Sequence, residues 1–538
     1  MASINRRGVL IGAAAGAAAA GGLAAVTPGN AAEPAVGSVA ERAAVRPGDP
    51  RYAELVVGNN RRFVARPEAV RLVRDADQVV RAVRDAVRAG KRVTVRSGGH
   101  CYADFVYNDA TQVVIDLSTM DRIDYDERRR AFSVEAGAQL GDVYATLYRG
   151  WGVVVPGGVC LTVGVGGHAC GGGYGLLSRR YGVVADHIEA VEVVVVDRDG
   201  DVRKVVASRD PRDPNHDLWW ACTGGGGGNF GIITRYWFRS ADARGSDPGE
   251  QLPRPPREVL VHRMGMPWQG LSLTAFTNLL RNYGDWHVAN TAADSPYAAL
   301  SGGVFLAHKA SGGIGLLTQM DATLPGAERL LADYLAAVSK DTGMFIPPAR
   351  RLPWLAATRK IGTADPALLT DPTKRGAVKS AYMRKGFTDA QIATLYRNMT
   401  RDDYANPTAT LQLYGVAGGR VNTVPPGATA YVHRDAAFLA LFENFWDEAA
   451  EDPAHLRWLR ETYADAFAAT GGYPVPNAQT GGCYINSPDP EIRDLSVNRS
   501  GVPWSTLYYG ANYPRLRQVK SRWDPTNFFR HSQSVEPA

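Results

Sequence analysis

The chain has 538 residues, of which 45% are hydrophobic and 21% are charged. This is more apolar sequence than one core usually needs, so we expect two domains. The formal net charge is only +6, and the arginines are scattered along the chain rather than gathered in a block. Composition therefore gives no support to nucleic-acid binding.

Residues 1–32 contain the three regions of an export signal. Arg6 and Arg7 form a twin-arginine pair, an Ala/Gly segment follows, and small residues stand near Ala31 and Ala32. Alanine and glycine are poor residues for a membrane anchor, which favours a removed signal and a secreted protein. Twin-arginine signals usually carry proteins that are already folded, often with a cofactor inserted, so this segment indicates a prosthetic group. No later segment is long and apolar enough to predict a stable membrane anchor.

The cysteine count argues against a purely disulfide-based framework. An odd number leaves at least one thiol over, and the five are Cys101, Cys160, Cys170, Cys222 and Cys483. They fit no zinc-ligand spacing. His168 lies close to Cys170, but a glycine-saturated loop is a poor frame for a structural metal, so we expect no metal site.

The chain up to about Phe238 has a mixed helix-and-strand pattern that begins with a βαβ-like unit. Residues 70–73 predict a strand, and Asp75 with Gln78 forms a capping box that begins a helix. Gly90 ends this helix, and residues 93–95 predict the next strand, which leads directly into a glycine-rich loop.

Later segments indicate a second domain in which helices cover a sheet. Its expected strands are residues 259–262, 300–307 and 410–416, whereas the strands expected at residues 191–196 and 202–206, joined by a turn at Asp199–Gly200, belong to the first part of the chain. The helices expected are residues 327–339 and 436–450, and residues 508–531 predict a helix with a short tail. The fold class is therefore α+β.

The first candidate binding motif is RSGGHCYADF, Arg96 to Phe105. A strand that ends in Ser-Gly-Gly turns sharply and directs backbone N–H groups at an anion. His100 follows on this loop. Taken alone, the motif is equally well explained by a tight turn beside a hydrogen-bonded histidine.

The second motif, Gly157 to Gly175, is about half glycine, so its backbone can approach a flat or charged ligand closely. Cys160 at its start can present a thiolate to an electrophilic ring. The run from Gly164 nominally matches a dinucleotide fingerprint, with Glu189 at the distance of a ribose partner. We reject that site because the preceding loop is too long and glycines continue where a helix should begin.

The third motif, CTGGGGGNFGIITRYWF, spans Cys222 to Phe238. Five consecutive glycines are also typical of a flexible linker. Here Trp219 and Trp220 precede them and an apolar strand follows at once. This apolar frame favours a close approach between backbone and ligand.

The three motifs, together with YYGANYPRLRQVKSRWDPTNFFRHSQSV near the C-terminus, resemble the berberine bridge enzyme family. Within it the chain is most similar to the bacterial sugar- and glycoside-oxidising members, the aclacinomycin oxidoreductase type. The resemblance implies the vanillyl-alcohol-oxidase fold. Its FAD-binding domain would take residues 50–238 and 507–538, and residues 239–506 would form a substrate domain with an antiparallel sheet covered by helices.

The resemblance also implies FAD held by two covalent bonds, from His100 to the 8-methyl carbon of the flavin ring and from Cys160 to its 6-position. Each bond withdraws electron density and should favour hydride acceptance. The residues expected to contact the cofactor are His100, Cys160, Arg96, Ser97, Gly98, Gly99, Val163, Gly164, Gly167, His168, Gly172, Gly173, Gly228, Asn229, Gly231, Ile232, Tyr509 and Asn512.

For the catalytic base, the segment GGCYINSPDP resembles the family's Tyr-x-Asn motif and implies Tyr484. Its pKa would have to be lowered by a cation or by hydrogen bonds to the phenolate. LQLYGVAGG resembles a family segment in the substrate domain and implies Tyr414 as a second hydroxyl. Either tyrosine is also explained as a core aromatic. Val163 stands at the position that gates oxygen in the family and is the small type associated with oxidases.

The sequence therefore predicts a secreted FAD-dependent oxidase with O2 as acceptor and H2O2 as product. The expected substrate is a sugar hydroxyl on a bulky glycosylated secondary metabolite. Alternatives are oxidation of an oligosaccharide at its anomeric carbon, and oxidative cyclisation of an alkaloid-like scaffold, for which no glutamate base is evident. A further alternative is a protein that holds flavin without catalysis.

Overall fold

The computed structural model describes residues 44–364, 371 and 373–538. The predicted export signal lies outside these residues and stays a prediction. None of the helices in the described part of the chain is long and apolar enough to span a membrane.

The described strands form three sheets. In chain order they are β1 (Ala44–Val45), β2 (Ala69–Leu72), β3 (Val93–Arg96), β4 (Val113–Asp116), β5 (Ile123–Asp126), β6 (Ala131–Glu135), β7 (Ile188–Val196), β8 (Val202–Ser208), β9 (Ile232–Phe238), β10 (Glu258–Pro267), β11 (Leu300–Ala307), β12 (Gly313–Asp321), β13 (Arg350–Pro353), β14 (Arg375–Met383), β15 (Thr410–Tyr414) and β16 (Phe438–Trp446). The strand orders are β1-β2-β4-β3, β5-β6-β9-β7-β8 and β13-β10-β12-β11-β15-β16-β14.

Helices connect and cover these sheets, which confirms the α+β class. They are α1 (Tyr52–Leu55), α2 (Ala76–Arg88), α3 (Leu140–Trp151), α4 (Val165–Cys170), α5 (Ser178–Tyr181), α6 (His216–Ala221), α7 (Leu273–Ala289), α8 (Ala327–Val338), α9 (Trp354–Gly362), α10 (Asp389–Thr400), α11 (Asp452–Ala466), α12 (Trp504–Tyr509) and α13 (Tyr513–Trp523). The helix and short tail predicted at residues 508–531 are present as α13 and the residues after it, but the helix begins only at Tyr513, because the chain breaks around Gly510, which has a positive φ of 50°.

The predicted βαβ-like unit forms, but a third strand lies between its two strands in the sheet. Asp75 caps α2 by accepting a hydrogen bond from the backbone N–H of Gln78, as the capping pattern predicts. β2 and β3 are not neighbours, however. Both pair in parallel with β4, which follows them in the chain and lies between them.

The seven-stranded sheet is antiparallel throughout. The sequence-based prediction for one of its strands is wrong. Residues 436–450 were expected to form a helix, but β16 occupies Phe438–Trp446. All nine of its residues are buried, because it lies between β14 and β15 and is covered by α11. A strand buried on both faces lacks polar–apolar alternation, so its pattern does not distinguish it from a buried helix. The sheet lies within residues 239–506, but the domain boundaries stay predictions.

Candidate active site

A cavity of about 320 Å³ lies where loops of the two smaller sheets meet two strands of the large sheet. Its wall includes the loop after β3, the segment 158–168, the glycine-rich loop before β9, the β15–β16 pair and residues 484–488. The C-terminal residues Phe529 to His531 complete it. Segments far apart in sequence therefore share one lining.

Most residues predicted to form the site line this cavity. They are His100, Cys160, Arg96, Ser97, Gly98, Gly99, Val163, Gly164, Gly167, His168, Gly228, Asn229, Gly231, Ile232, Tyr414 and Tyr484.

Four predicted cofactor contacts are not part of the lining. Gly172 lies against the ring of Tyr431, and the Gly173 N–H donates to the Tyr484 hydroxyl. Tyr509 donates to the carbonyl of Gly225, and Asn512 donates to the carbonyls of Pro426, Thr429 and Ala430. These residues support the segments that form the wall.

The two residues predicted to bind flavin covalently are on loops that contact each other. His100 Nε2 lies 2.8 Å from Thr162 Oγ1, two residues beyond Cys160, and Asn59 Nδ2 lies 3.0 Å from the same ring nitrogen. Burial, with a contribution from Arg96, lowers the pKa of His100 to about 4. The imidazole is therefore neutral at physiological pH, the form in which a ring nitrogen is nucleophilic.

The same two loops approach so closely that they exclude side chains. A Cβ on Gly98 would lie 2.3 Å from the backbone nitrogen of Gly164, and one on Gly164 would lie 2.0 Å from Ser97 Oγ. The Ser97 hydroxyl donates to the carbonyl of Ala136 at 2.6 Å. Glycine at both positions is thus a packing requirement of the folded loops.

The structure corrects one reason for rejecting a dinucleotide site at Gly164. A helix does begin there, since Gly164 is the N-cap of α4, although the helix has only six residues. The other reason, the long preceding loop, stands, because no described strand ends directly before Gly164. Glu189, which the spacing offered as a ribose partner, lies in the β7 strand with an ion pair to Arg209 at 3.7 Å.

His168 stabilises the loop that carries Cys160. Its Nε2 accepts the backbone N–H of Gly158 at 3.1 Å, and its carbonyl accepts the side-chain amide of Asn486 at 2.9 Å. Burial lowers the pKa of His168 to about 4, which keeps Nε2 available as an acceptor. The residue lines the cavity and also connects two of its walls.

Tyr484 is buried, and its hydroxyl oxygen accepts two hydrogen bonds from neutral donors. These come from the Gly173 N–H at 3.0 Å and from Asn486 Nδ2 at 2.9 Å. Burial raises the pKa of Tyr484 well above its ordinary value, and these two donors act in the opposite direction. The expected hydrogen bonds to the phenolic oxygen are present, but burial has the larger effect on the pKa.

Tyr414 faces the cavity from β15 and is held differently. Its hydroxyl donates to Oε1 of Gln412, two residues earlier on the same face of the strand. Its ring packs against Tyr174, with centroids 6.2 Å apart, and Tyr174 is 5.2 Å from Tyr484. Three tyrosine rings thus form one continuous wall.

Several lining residues were missed by sequence reasoning. Glu443 on β16 is only 2% exposed and lines the cavity, and the helix assignment for its segment hid it. His531 stacks on Phe105 with centroids 3.8 Å apart and places Nε2 3.1 Å from the Gly227 carbonyl. The C-terminal motif contained His531, but nothing in the sequence indicated its partner Phe105.

The lining suits a large, flat, anionic cofactor. A Cβ on Gly167 would meet no atom within 4 Å, so the backbone there is open to a ligand. The Nε of Arg96 is buried without a hydrogen-bond partner in the described residues, although its Nη1 pairs with Asp116 at 2.6 Å. An open backbone and an unsatisfied guanidinium nitrogen in the lining of one cavity fit a phosphate-bearing cofactor.

Comparison with known proteins agrees with this fit. Residues 67–205 match the family described as FAD binding domain, and residues 483–536 match the family described as berberine and berberine like. The aclacinomycin-N/aclacinomycin-A oxidase of Streptomyces galilaeus is 51% identical over 91% of this chain and 89% of its own length. The hexose oxidase of Chondrus crispus is 31% identical over 90% and 93% of the two chains.

A solved relative has a similar three-dimensional structure. The crystal structure of a glycopeptide hexose oxidase complexed with teicoplanin superposes with a TM-score of 0.87. It is 45% identical and covers 92% of this chain and 98% of that chain. Fold and site together define an FAD-dependent oxidoreductase. The chain belongs to the berberine bridge enzyme-like family of FAD-linked oxidases.

Proposed function

We propose that this protein is an exported oxidase that oxidises a sugar hydroxyl of a glycosylated secondary metabolite, with O2 as acceptor and H2O2 as product. The observation that supports it best is the shared lining of one cavity by His100, Cys160, Tyr414 and Tyr484. The names of two relatives support the same class, since one is an aclacinomycin oxidase and the other is a glycopeptide hexose oxidase complexed with teicoplanin.

The cofactor would be held by His100 and Cys160 through two covalent bonds. FAD, when bound, supplies the acceptor for the hydride that leaves the substrate carbon. The loop contact between His100 and Thr162 brings both attachment residues to one wall. A neutral His100 suits attachment.

The chain's own residues supply proton transfer and orientation. Tyr484 takes the hydroxyl proton of the substrate, and the N–H groups of Gly173 and Asn486 stabilise the phenolate that this requires. Tyr174 and Tyr414 give the adjoining wall aromatic surface on which a sugar ring can pack. Val163 lines the cavity beside the Cys160 loop, where the small side chain would leave room for O2.

A substrate panel read out as H2O2 tests the proposal. The panel contains aclacinomycin N, aclacinomycin A, teicoplanin, D-glucose and a chitooligosaccharide. Peroxide with a glycosylated metabolite and little with free sugars is expected. Peroxide with free sugars alone would favour the anomeric oxidase instead. Flavin-loaded protein that reacts with none of them, while its flavin is reoxidised normally after chemical reduction, would contradict the proposal.

A further inference from the structure

A buried carboxylate lies behind Tyr414 and is connected to it through one amide. Glu443 on β16 and Gln412 on β15 belong to adjacent strands, where Gln412 is opposite Leu441 and Thr410 is opposite Glu443. Gln412 Nε2 donates to Glu443 Oε2 at 2.6 Å, and Gln412 Oε1 accepts from the Tyr414 hydroxyl. Glu443 and Gln412 are 2% and 6% exposed, so bulk water does not compete strongly for these bonds.

The carboxylate determines which way the amide of Gln412 points. An ionised carboxylate only accepts hydrogen bonds, whereas a primary amide has one donating end and one accepting end. With Glu443 ionised, as this inference requires, turning the amide over would place its oxygen against the Glu443 oxygen, with no proton between them. It would also place an NH2 group against the Tyr414 hydroxyl. Glu443 therefore holds the amide oxygen toward Tyr414.

This orientation of the Gln412 amide fixes the direction of the Tyr414 O–H bond. Because Gln412 Oε1 is an acceptor, the Tyr414 O–H points along β15 toward Gln412 rather than into the cavity. The Tyr414 oxygen therefore directs its lone pairs, which accept hydrogen bonds, toward the cavity. A sugar hydroxyl group has a proton to donate to such an oxygen.

We propose that Glu443 is a positioning residue that acts through Gln412 to make Tyr414 an acceptor for a second hydroxyl group of the bound sugar, distinct from the one that is oxidised. The inference rests on the proposed function, because it assigns the partner of Tyr414 to the substrate of that reaction. Its consequence is orientation, since Tyr414 and Tyr484 then hold two different hydroxyl groups of the same sugar. Tyr484, which accepts two hydrogen bonds from the protein, remains the proton acceptor.

The first test needs no turnover. Neutron diffraction from deuterated crystals of the flavin-loaded protein locates the hydroxyl deuterium of Tyr414 and both amide deuteriums of Gln412. We expect the Tyr414 deuterium on the side of Gln412 Oε1 and a Gln412 deuterium toward Glu443. A deuterium on the Glu443 carboxyl group, or a Tyr414 deuterium directed into the cavity, would overturn the inference.

The second test separates action through Tyr414 from direct action. Anaerobic flavin reduction by aclacinomycin N is measured for the wild type, Glu443→Gln, Tyr414→Phe and the double variant. Glu443→Gln should slow reduction about tenfold in the wild type and by less than about twofold in Tyr414→Phe. An equal loss in both backgrounds would mean that Glu443 acts directly on the substrate, and would refute the positioning role.

An exchange variant controls for packing. Gln412→Glu combined with Glu443→Gln keeps one carboxylate, one amide and an acceptor for the Tyr414 proton, so reduction should recover to within about threefold of the wild type. A merely structural role predicts that the exchange is no better than Glu443→Gln. Flavin content and melting temperature verify that each variant is folded. If aclacinomycin N and the other panel compounds fail to reduce even the wild type, the proposed function fails, while the neutron map still decides the position of the Tyr414 proton.

Discussion

Tyr484 and Tyr414 face one cavity, but one hydroxyl group accepts hydrogen bonds from the protein and the other donates one. Tyr484 accepts from Gly173 and Asn486, whereas Tyr414 donates to Gln412. A phenolate is stabilised by accepted hydrogen bonds, so Tyr484 is the better base of the two. The difference comes from the neighbours of each ring and not from the residue type.

Removing the Tyr484 hydroxyl should therefore stop the reductive half of the reaction. Tyr484→Phe keeps the ring and its packing but removes the group that ionises, and loss of a general base costs about 10² to 10⁴ in rate. The loss should appear in anaerobic reduction by substrate, while reoxidation of chemically reduced flavin by O2 stays near normal. Tyr414→Phe should cost less. If Tyr414→Phe is inactive and Tyr484→Phe is active, Tyr414 is the base and the two roles are reversed.

The attachment residues can be tested one at a time. If His100 and Cys160 each form a bond to the flavin, denatured wild-type protein stays yellow, and a proteolytic digest contains a flavin linked to both peptides. His100→Ala or Cys160→Ala alone should leave one bond, with a shifted absorption spectrum and slower reduction. Acid precipitation of the His100→Ala, Cys160→Ala double variant should release its flavin. Complete release from the wild type would refute covalent attachment.

At the scale of elements, helix α13 is joined to the glycine-rich wall of the cavity by a fully buried ion pair. Lys520 Nζ donates to Asp524 Oδ2 and to the carbonyls of Asn229 and Phe529, each at 2.6 Å. Both charged side chains are 0% exposed. Asn229 lines the cavity, so this pair connects the C-terminal helix to the site.

Breaking this pair should destabilise the protein strongly. Lys520→Met leaves a buried carboxylate without its cation and two carbonyls without their donor, which costs about 3 kcal/mol or more in the free energy of unfolding. Urea unfolding of the flavin-loaded protein measures the loss. Lys360→Met is the matched control, because Lys360 is an exposed lysine in the last turn of α9. Equal effects of the two substitutions would contradict the account.

At the scale of the whole molecule, buried neutral histidines should make stability depend on pH. Burial lowers the pKa of His187 to about 4 and the pKa values of His433 and His531 to about 3. In the unfolded chain a histidine has a pKa of about 6.5. Between about pH 6.5 and pH 4 the unfolded chain therefore binds protons that the folded chain does not, and stability falls as pH falls.

The free energy of unfolding should decrease across this window by about 1.4 kcal/mol per pH unit for each such histidine. Urea midpoints at pH 7, 6 and 5 measure the decrease. His187→Asn removes one of these groups at a position outside the cavity lining, and should flatten the dependence by about one proton. The same slope in the variant and the wild type would show that His187 does not contribute.

The sequence by itself determined the local elements and the glycine motifs. The capping box at Asp75, the β7–β8 hairpin with its turn at Gly200 and the strand at Leu300–Ala307 follow from patterns within a few residues. Short-range signals of this kind depend on capping, turn geometry and side-chain alternation. The motif spacing also implied the family, which the comparisons confirm.

Only the tertiary structure decided how these pieces meet. It placed β4 between β2 and β3, made residues 438–446 an interior strand and brought Glu443 behind Tyr414. It also put His531 against Phe105 from the opposite end of the chain. Burial on both faces removes the alternation that identifies a strand, and contacts across hundreds of residues leave no local pattern, so neither was accessible before the chain was folded.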